Sequence, residues 1–122
     1  MHADLTLRTI EHDDELRTLH RMILTVFIGK DDLSRAFEAY DARMRRAPDL
    51  PVHGRRGILI DDTIASACLV YARQIRIGYS YVPVACVGAV FTDPEFRGRG
   101  LAGRLITDII GYAAKRRDGL LL

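Results

Sequence analysis

Cysteine is scarce in this chain: there are two in 122 residues, and both Cys68 and Cys86 lie inside apolar, strand-like runs. That usage argues against a disulfide framework, and each thiol reads as a small buried hydrophobe in its reduced state. The four histidines, His2, His12, His20 and His53, share no ligand spacing with one another or with the cysteines, so no metal site is expected. Long apolar runs are missing as well. The longest uncharged apolar stretch, residues 82–91, falls well short of the ~18 residues a membrane span needs. Residues 1–4 lead into alternating strand-like positions rather than an apolar leader. The expectation is a cytoplasmic protein with no membrane contact. Linkers, low-complexity tracts and repeats are also lacking, and a length of 122 residues that is 48% hydrophobic and 28% charged fits a single domain over residues 1–122.

Lysine is nearly absent, since only Lys30 and Lys115 interrupt the arginines among 18 basic residues, yet the net charge is just +2. Arg43, Arg45, Arg46, Arg55 and Arg56 gather as a nucleic-acid surface would. Three of them close a predicted helix, where cations complement the dipole, and the aromatic interleaving of a base-stacking platform is missing. No nucleic-acid partner is expected.

Residues 4–10 alternate polar and apolar, as a strand with one buried face does. The acidic cluster Glu11, His12, Asp13, Asp14 and Glu15 opens a helix whose apolar positions are Leu16, Leu19, Ile23, Val26 and Phe27. Acids in a first turn complement the dipole, with Asp13 read as the N-cap. Gly29 ends that helix, and Asp31-Asp32 begins another along Leu33, Ala36, Phe37, Tyr40, Met44 and Ala47 until Pro48 stops it. From Arg56 the pattern turns to strands at 57–60 and 64–77, joined by a tight turn at Asp61-Asp62-Thr63, and at 80–92 after Gly78. A last helix carries Leu101, Leu105 and Ile109 beside Ala102, Ile106, Ile110 and Ala113. Gly119 is placed to take a left-handed cap, and Leu120-Leu121-Leu122 starts a buried strand parallel to the one before it.

The mouth of that last helix carries the chemistry. Arg97-Gly98-Arg99-Gly100-Leu101-Ala102 follows the strand end Val90-Phe91-Thr92. Gly98 and Gly100 can turn their N–H groups inward with no Cβ in the way. The free donors of the first helical turn point at the same spot, and Arg97, Arg99 and Arg104 add charge, so phosphate is the natural guest. Gly98 through Gly103 also matches G-x-G-x-x-G, but the dinucleotide fingerprint needs its first glycine directly after a strand and an acid about 20 residues on, and neither condition holds. No Gly-Lys-Ser/Thr follows for a Walker loop.

The string from Val90 to Ala102, with its Pro94-Glu95-Phe96 lead-in and Arg97, Gly100 and Ala102 at the defining positions, resembles the acyl-CoA signature of the GNAT superfamily of N-acyltransferases. The resemblance implies an α/β (α+β) fold with a mixed, mostly antiparallel sheet flanked by helices, in the order β-α-α-β-β-β-α-β and truncated after the start of the fifth strand. It implies acetyl-CoA as co-substrate and a primary amine as acceptor. By the same resemblance Val90, Phe91 and Thr92 offer backbone groups to the pantetheine arm. Arg97, Gly98, Arg99, Gly100, Leu101, Ala102 and Gly103 surround the diphosphate, and an N–H near Val90 polarises the thioester carbonyl. The family's common glutamate base has no counterpart, since residues 80–92 contain no carboxylate. Tyr79 and Tyr81 fall near the mouth of the implied strand wedge but carry no acid–base signal, so no catalytic residue is assigned. A non-catalytic acyl-CoA-binding module is the second reading, and a basic nucleic-acid binder the third. An apolar edge at residues 120–122 calls for cover, by further chain, a partner chain or a second copy.

Overall fold

Small and branched residues from Thr63 to Ile77 form the longest strand of a five-stranded sheet. Its first half is buried on both faces, which only a central strand requires. The computed structural model describes residues 4–121. In chain order the elements are β1 (Leu5–Thr9), α1 (Asp13–Ile28), α2 (Leu33–Arg45), β2 (Arg55–Ile60), β3 (Thr63–Ile77), β4 (Ser80–Thr92), α3 (Leu101–Arg116) and β5 (Gly119–Leu121). The sheet runs β1-β2-β3-β4-β5, antiparallel throughout except that β5 lies parallel to β4. The expected order of elements is borne out. Leu122 and His2 lie outside the described residues.

Neighbouring residues on one strand feed opposite cores, as a pleat of period two demands. Ile58, Cys68 and Val70 pack with Leu101, Leu105, Ile109 and Ala113 of α3, whereas Leu59 and Leu69 pack with Leu19, Ile23 and Met44 of α1 and α2. The two helical layers therefore cover opposite faces. Burial pushes the Cys68 thiol up to about 12, which leaves it an inert core group. Both cysteines are free.

Helices α1 and α2 are tied by a buried polar chain. His20, fully buried, meets Asp41 at 2.8 Å through Nδ1, and Arg45 donates to the other oxygen of Asp41 at 2.9 Å and to Asp13 at 2.7 Å. Two more of the clustered arginines are also engaged: Arg56 grips Asp108 with two bonds, at 2.8 and 3.1 Å, and buried Arg55 donates to the Met44 carbonyl at 2.7 Å, while Arg43 and Arg46 are exposed.

Four local expectations give way. His12, not Asp13, is the N-cap of α1, because Asp13 is already helical and turns its carboxylate to Arg45. Val26 and Phe27 are 69% and 68% exposed although their spacing continues the α1 stripe, because the core there is completed by Leu24 and His20 instead. Ile110 is likewise half exposed, so α3 buries a narrower stripe of Leu101, Leu105, Ile109 and Ala113. Arg117, with φ of 59°, takes the left-handed cap expected of Gly119, and Gly119 already belongs to β5, where a Cβ would press to 3.3 Å from Val84. Among the described residues no helix is long and apolar enough to cross a membrane.

Candidate functional site

The site is built where β4 ends. Parallel pairing joins β5 only to Val84, Ala85 and Cys86. Beyond Cys86 the β5 side of β4 has no strand beside it among the described residues. On the other side, Leu69 pairs with Gly88 and Ala67 with Phe91, which sets two residues, Ala89 and Val90, against Cys68 alone. This is a β-bulge, and Ala89 sits in the left-handed region with φ of 52°. A bulge interrupts the ladder and re-aims the peptide beside it, and strained residues of this kind cluster at functional sites. Neither the composition nor the spacing of residues 88–91 signals it, since alanine is not a residue that favours positive φ.

Past Thr92 the chain is locked before it reaches the loop. Asp93 N–H donates to the Ala65 carbonyl at 2.8 Å, and the Asp93 carboxylate accepts from Glu95 N–H at 2.9 Å, which closes a 3₁₀ turn at Pro94–Phe96. Phe96 then packs on the α3 side of the core with the Arg99 guanidinium 5.2 Å over its ring. Arg97 folds back, its Nε donating to the Thr92 carbonyl at 3.3 Å.

The loop itself is the opposite of locked. Gly98 and Gly100 have φ of 82° and 71°, and a Cβ added at either, or at Gly103, would meet nothing within 4 Å. Gly100 is the N-cap of α3 and offers no side chain to it. Among the described residues the amides of residues 98–103 find no protein acceptor; the first bonded amide is that of Arg104, to the Gly100 carbonyl at 3.2 Å. Six consecutive open donors, three arginines and the positive end of a 16-residue helix make a strong anion field.

The residues expected at the site separate into three groups. Val90, Phe91, Thr92, Arg97 and Ala102 line one cleft of about 1030 Å³. Gly100 and Gly103 open toward a shallower hollow of about 580 Å³ beside β1. Gly98, Arg99 and Leu101 line neither hollow, and the Leu101 side chain is buried in the core. Tyr79 and Tyr81 are not near this place. They lie at the far tip of the β3–β4 hairpin, Tyr79 fully exposed and Tyr81 opposite Arg76, a full strand length from Val90. The large cleft also has a wall that the sequence did not announce, built from Arg21, Met22, Val26, Lys30 and Leu33 on α1, the start of α2 and the turn between them.

A family model for the acetyltransferase (GNAT) domain matches residues 6–122. No curated protein sequence matches the chain. Among solved structures, a probable N-acyltransferase from Enterococcus faecalis superimposes with a TM-score of 0.73 at 18% identity, over 96% of this chain and 28% of that one. A GCN5-related N-acetyltransferase from Kribbella flavida does so with a TM-score of 0.71 at 22% identity, over 93% and 28%. This chain thus spans well under a third of those two proteins. An aminoglycoside N-acetyltransferase in complex with CoA gives a TM-score of 0.72 at 17% identity, over 99% of this chain and 76% of that one. At these identities the likeness is one of fold.

Proposed function

This chain belongs to the GNAT acetyltransferase family, and from that premise we propose that it is an N-acyltransferase, taking an acetyl group from acetyl-CoA and delivering it to a primary amine. The observation that carries the reading is the run of six unbonded amides over residues 98–103, beside a strand whose edge is also unpaired. Backbone donors of that number in one concave turn suit a diphosphate, and the residues fit the coenzyme on that ground. The coenzyme supplies an activated acyl thioester. The loop amides and the guanidinium groups of Arg97, Arg99 and Arg104 hold its phosphates. The free edge of β4 at Val90, Phe91 and Thr92 accepts the amide-bearing arm as a further strand would. A backbone N–H at the Ala89–Val90 bulge polarises the acyl carbonyl, an electrostatic role that needs no particular side chain.

Calorimetric titration with acetyl-CoA tests the reading. Wild type binds. Gly100→Glu places a carboxylate in the cradle but must also adopt a left-handed φ, so Gly103→Glu, whose backbone is helical and whose surroundings are open, is the cleaner variant. Removing two charge-assisted bonds of about 1.5 kcal/mol each weakens binding about a hundredfold. Equal binding by wild type and Gly103→Glu sinks the assignment.

One observation favours a second reading, a coenzyme-binding module without chemistry. Asp93 is the single carboxylate lining the cleft, and its Oδ1 already accepts from Glu95 N–H. Tight acetyl-CoA binding with no CoA release over a broad panel of amines selects that reading over the enzyme.

A further inference from the structure

We infer that the acceptor of this cleft is an anionic amine: a primary amine on an apolar skeleton that also carries a carboxylate, held by Arg21 and Lys30. The inference rests on the acyltransferase reading and names its acceptor class. The wall opposite β4 has two characters. Met22, Val26 and Leu33 give it an apolar floor, and Val26 is 69% exposed on it. Arg21 and Lys30 border that floor, and among the described residues neither makes an ion pair.

The available acids do not neutralise them. Glu38 on α2 is taken by Arg17 at 2.8 Å and feels Arg21 only at longer range, and Arg21 lies with its guanidinium 4.5 Å over the Phe37 ring. Asp31 and Asp32 follow Lys30 in sequence but do not line the cleft. Asp93 does line it, beside Arg97, with one oxygen occupied by the Glu95 amide. With Arg97 assigned to the coenzyme phosphates, the remaining lining still carries two unpaired cations against one carboxylate. A polycationic acceptor meets repulsion and finds no row of acids. A simple neutral-tailed amine gains only the apolar contact. An amine with a carboxylate gains both, and the cations draw it in against its own ammonium charge.

The test uses the intact chain, acetyl-CoA and four acceptors: leucine, leucinamide, phosphoethanolamine and spermidine. Leucine is expected to exceed leucinamide and spermidine in kcat/KM by about tenfold or more, the worth of one charge-assisted contact. In Arg21→Gln and Lys30→Gln that leucine-to-leucinamide ratio falls toward one, while calorimetric affinity for acetyl-CoA holds. Both side chains are at the surface, and a thermal melt of each variant checks that its fold is kept. Preference for leucinamide or spermidine overturns the inference. So does phosphoethanolamine outranking leucine, which would make the subsite a phosphate site. Loss of acetyl-CoA affinity in the two variants with an unchanged ratio also overturns it, because the cations then serve the coenzyme. If no amine releases CoA, calorimetric titration with leucine and leucinamide decides instead: selective binding of leucine supports the anion subsite while the transfer reading fails, and equal or absent binding overturns the subsite.

Discussion

Two turns in this molecule use the left-handed region twice each, and they could not differ more in what they do with it. At the β2–β3 hairpin Asp61 and Asp62 have φ of 50° and 65°, and the turn is tied down to the start of β1: Asp61 N–H donates to the Asp4 carbonyl at 2.9 Å, and the Asp61 carboxylate accepts from Asp4 N–H at 3.0 Å. At the mouth of α3, Gly98 and Gly100 adopt similar angles and leave their amides, with four more, without an acceptor among the described residues. Positive φ therefore marks a turn, and only the balance of donors tells a structural turn from a binding one. Aspartate serves in the first because its side chain supplies the missing partner. Glycine serves in the second because any side chain would occupy the space that a ligand needs.

The largest expected effect sharpens this contrast directly. A carboxylate added at the open loop, Gly103→Glu, weakens acetyl-CoA binding about a hundredfold by the loss of charge-assisted bonds, whereas Thr63→Glu, which adds a carboxylate at an exposed position beside the closed turn, leaves binding where it was. Both are read in one calorimetric series. A comparable loss from Thr63→Glu would show that acidity anywhere on the surface matters and that the loop is not special.

Unpartnered groups occur elsewhere, and the contrast must hold against them too. Nε2 of His20 has no partner, yet it is fully buried between α1 and α2 and offered to nothing outside. Its role is one of stability. Burial holds the His20 pKa below its ordinary value and outweighs the pull of Asp41, so the ring is neutral in the fold. The unfolded chain takes up that proton at about pH 6.5 and the folded chain only at lower pH, so this contribution is complete above about 6.5 and is lost as the pH falls. His20→Leu leaves the buried oxygen of Asp41 short of a donor and costs about 2 kcal/mol at neutral pH. In urea denaturation the variant should also lack the wild-type loss of stability between pH 7 and 5. A variant whose pH slope matches wild type would assign that slope to other groups.

Much of this architecture was legible from the chain, and for different physical reasons in different places. Strand β4 is readable to the residue because glycine turns and an apolar run bracket it, and the loop is readable because its function needs glycine and arginine as residue types. The bulge at Ala89 is not readable, since it arises from the mismatch of two strands and alanine advertises nothing. The α1 wall misleads: Val26 and Phe27 sit at core spacing, but Leu24 and His20 fill the core first and leave both outside. Gly119 misleads in the same way, because the chain needed a side-chain-free position against Val84 more than it needed a glycine cap, and Arg117 took the cap with its strain.

The smallest effect separates strain that is tolerated from strain that is used. Both Asp62 and Ala89 hold positive φ, but aspartate adopts that region with little penalty while alanine loses about 1 kcal/mol there. Ala89→Gly therefore stabilises the fold by up to about 1 kcal/mol, and Asp62→Gly by about 0.5 kcal/mol, each reduced by the greater freedom that glycine has in the unfolded chain. Urea denaturation of the two variants measures the order. What distinguishes them is the second readout: a bulge held by a strained alanine is stiffer than one held by glycine, so Ala89→Gly should gain stability while slowing acetyl transfer, and Asp62→Gly should gain stability at no cost in rate. Equal rates for both variants would mean that the bulge bends β4 without positioning the acyl group, and the open donors of residues 98–103 would then carry the site alone.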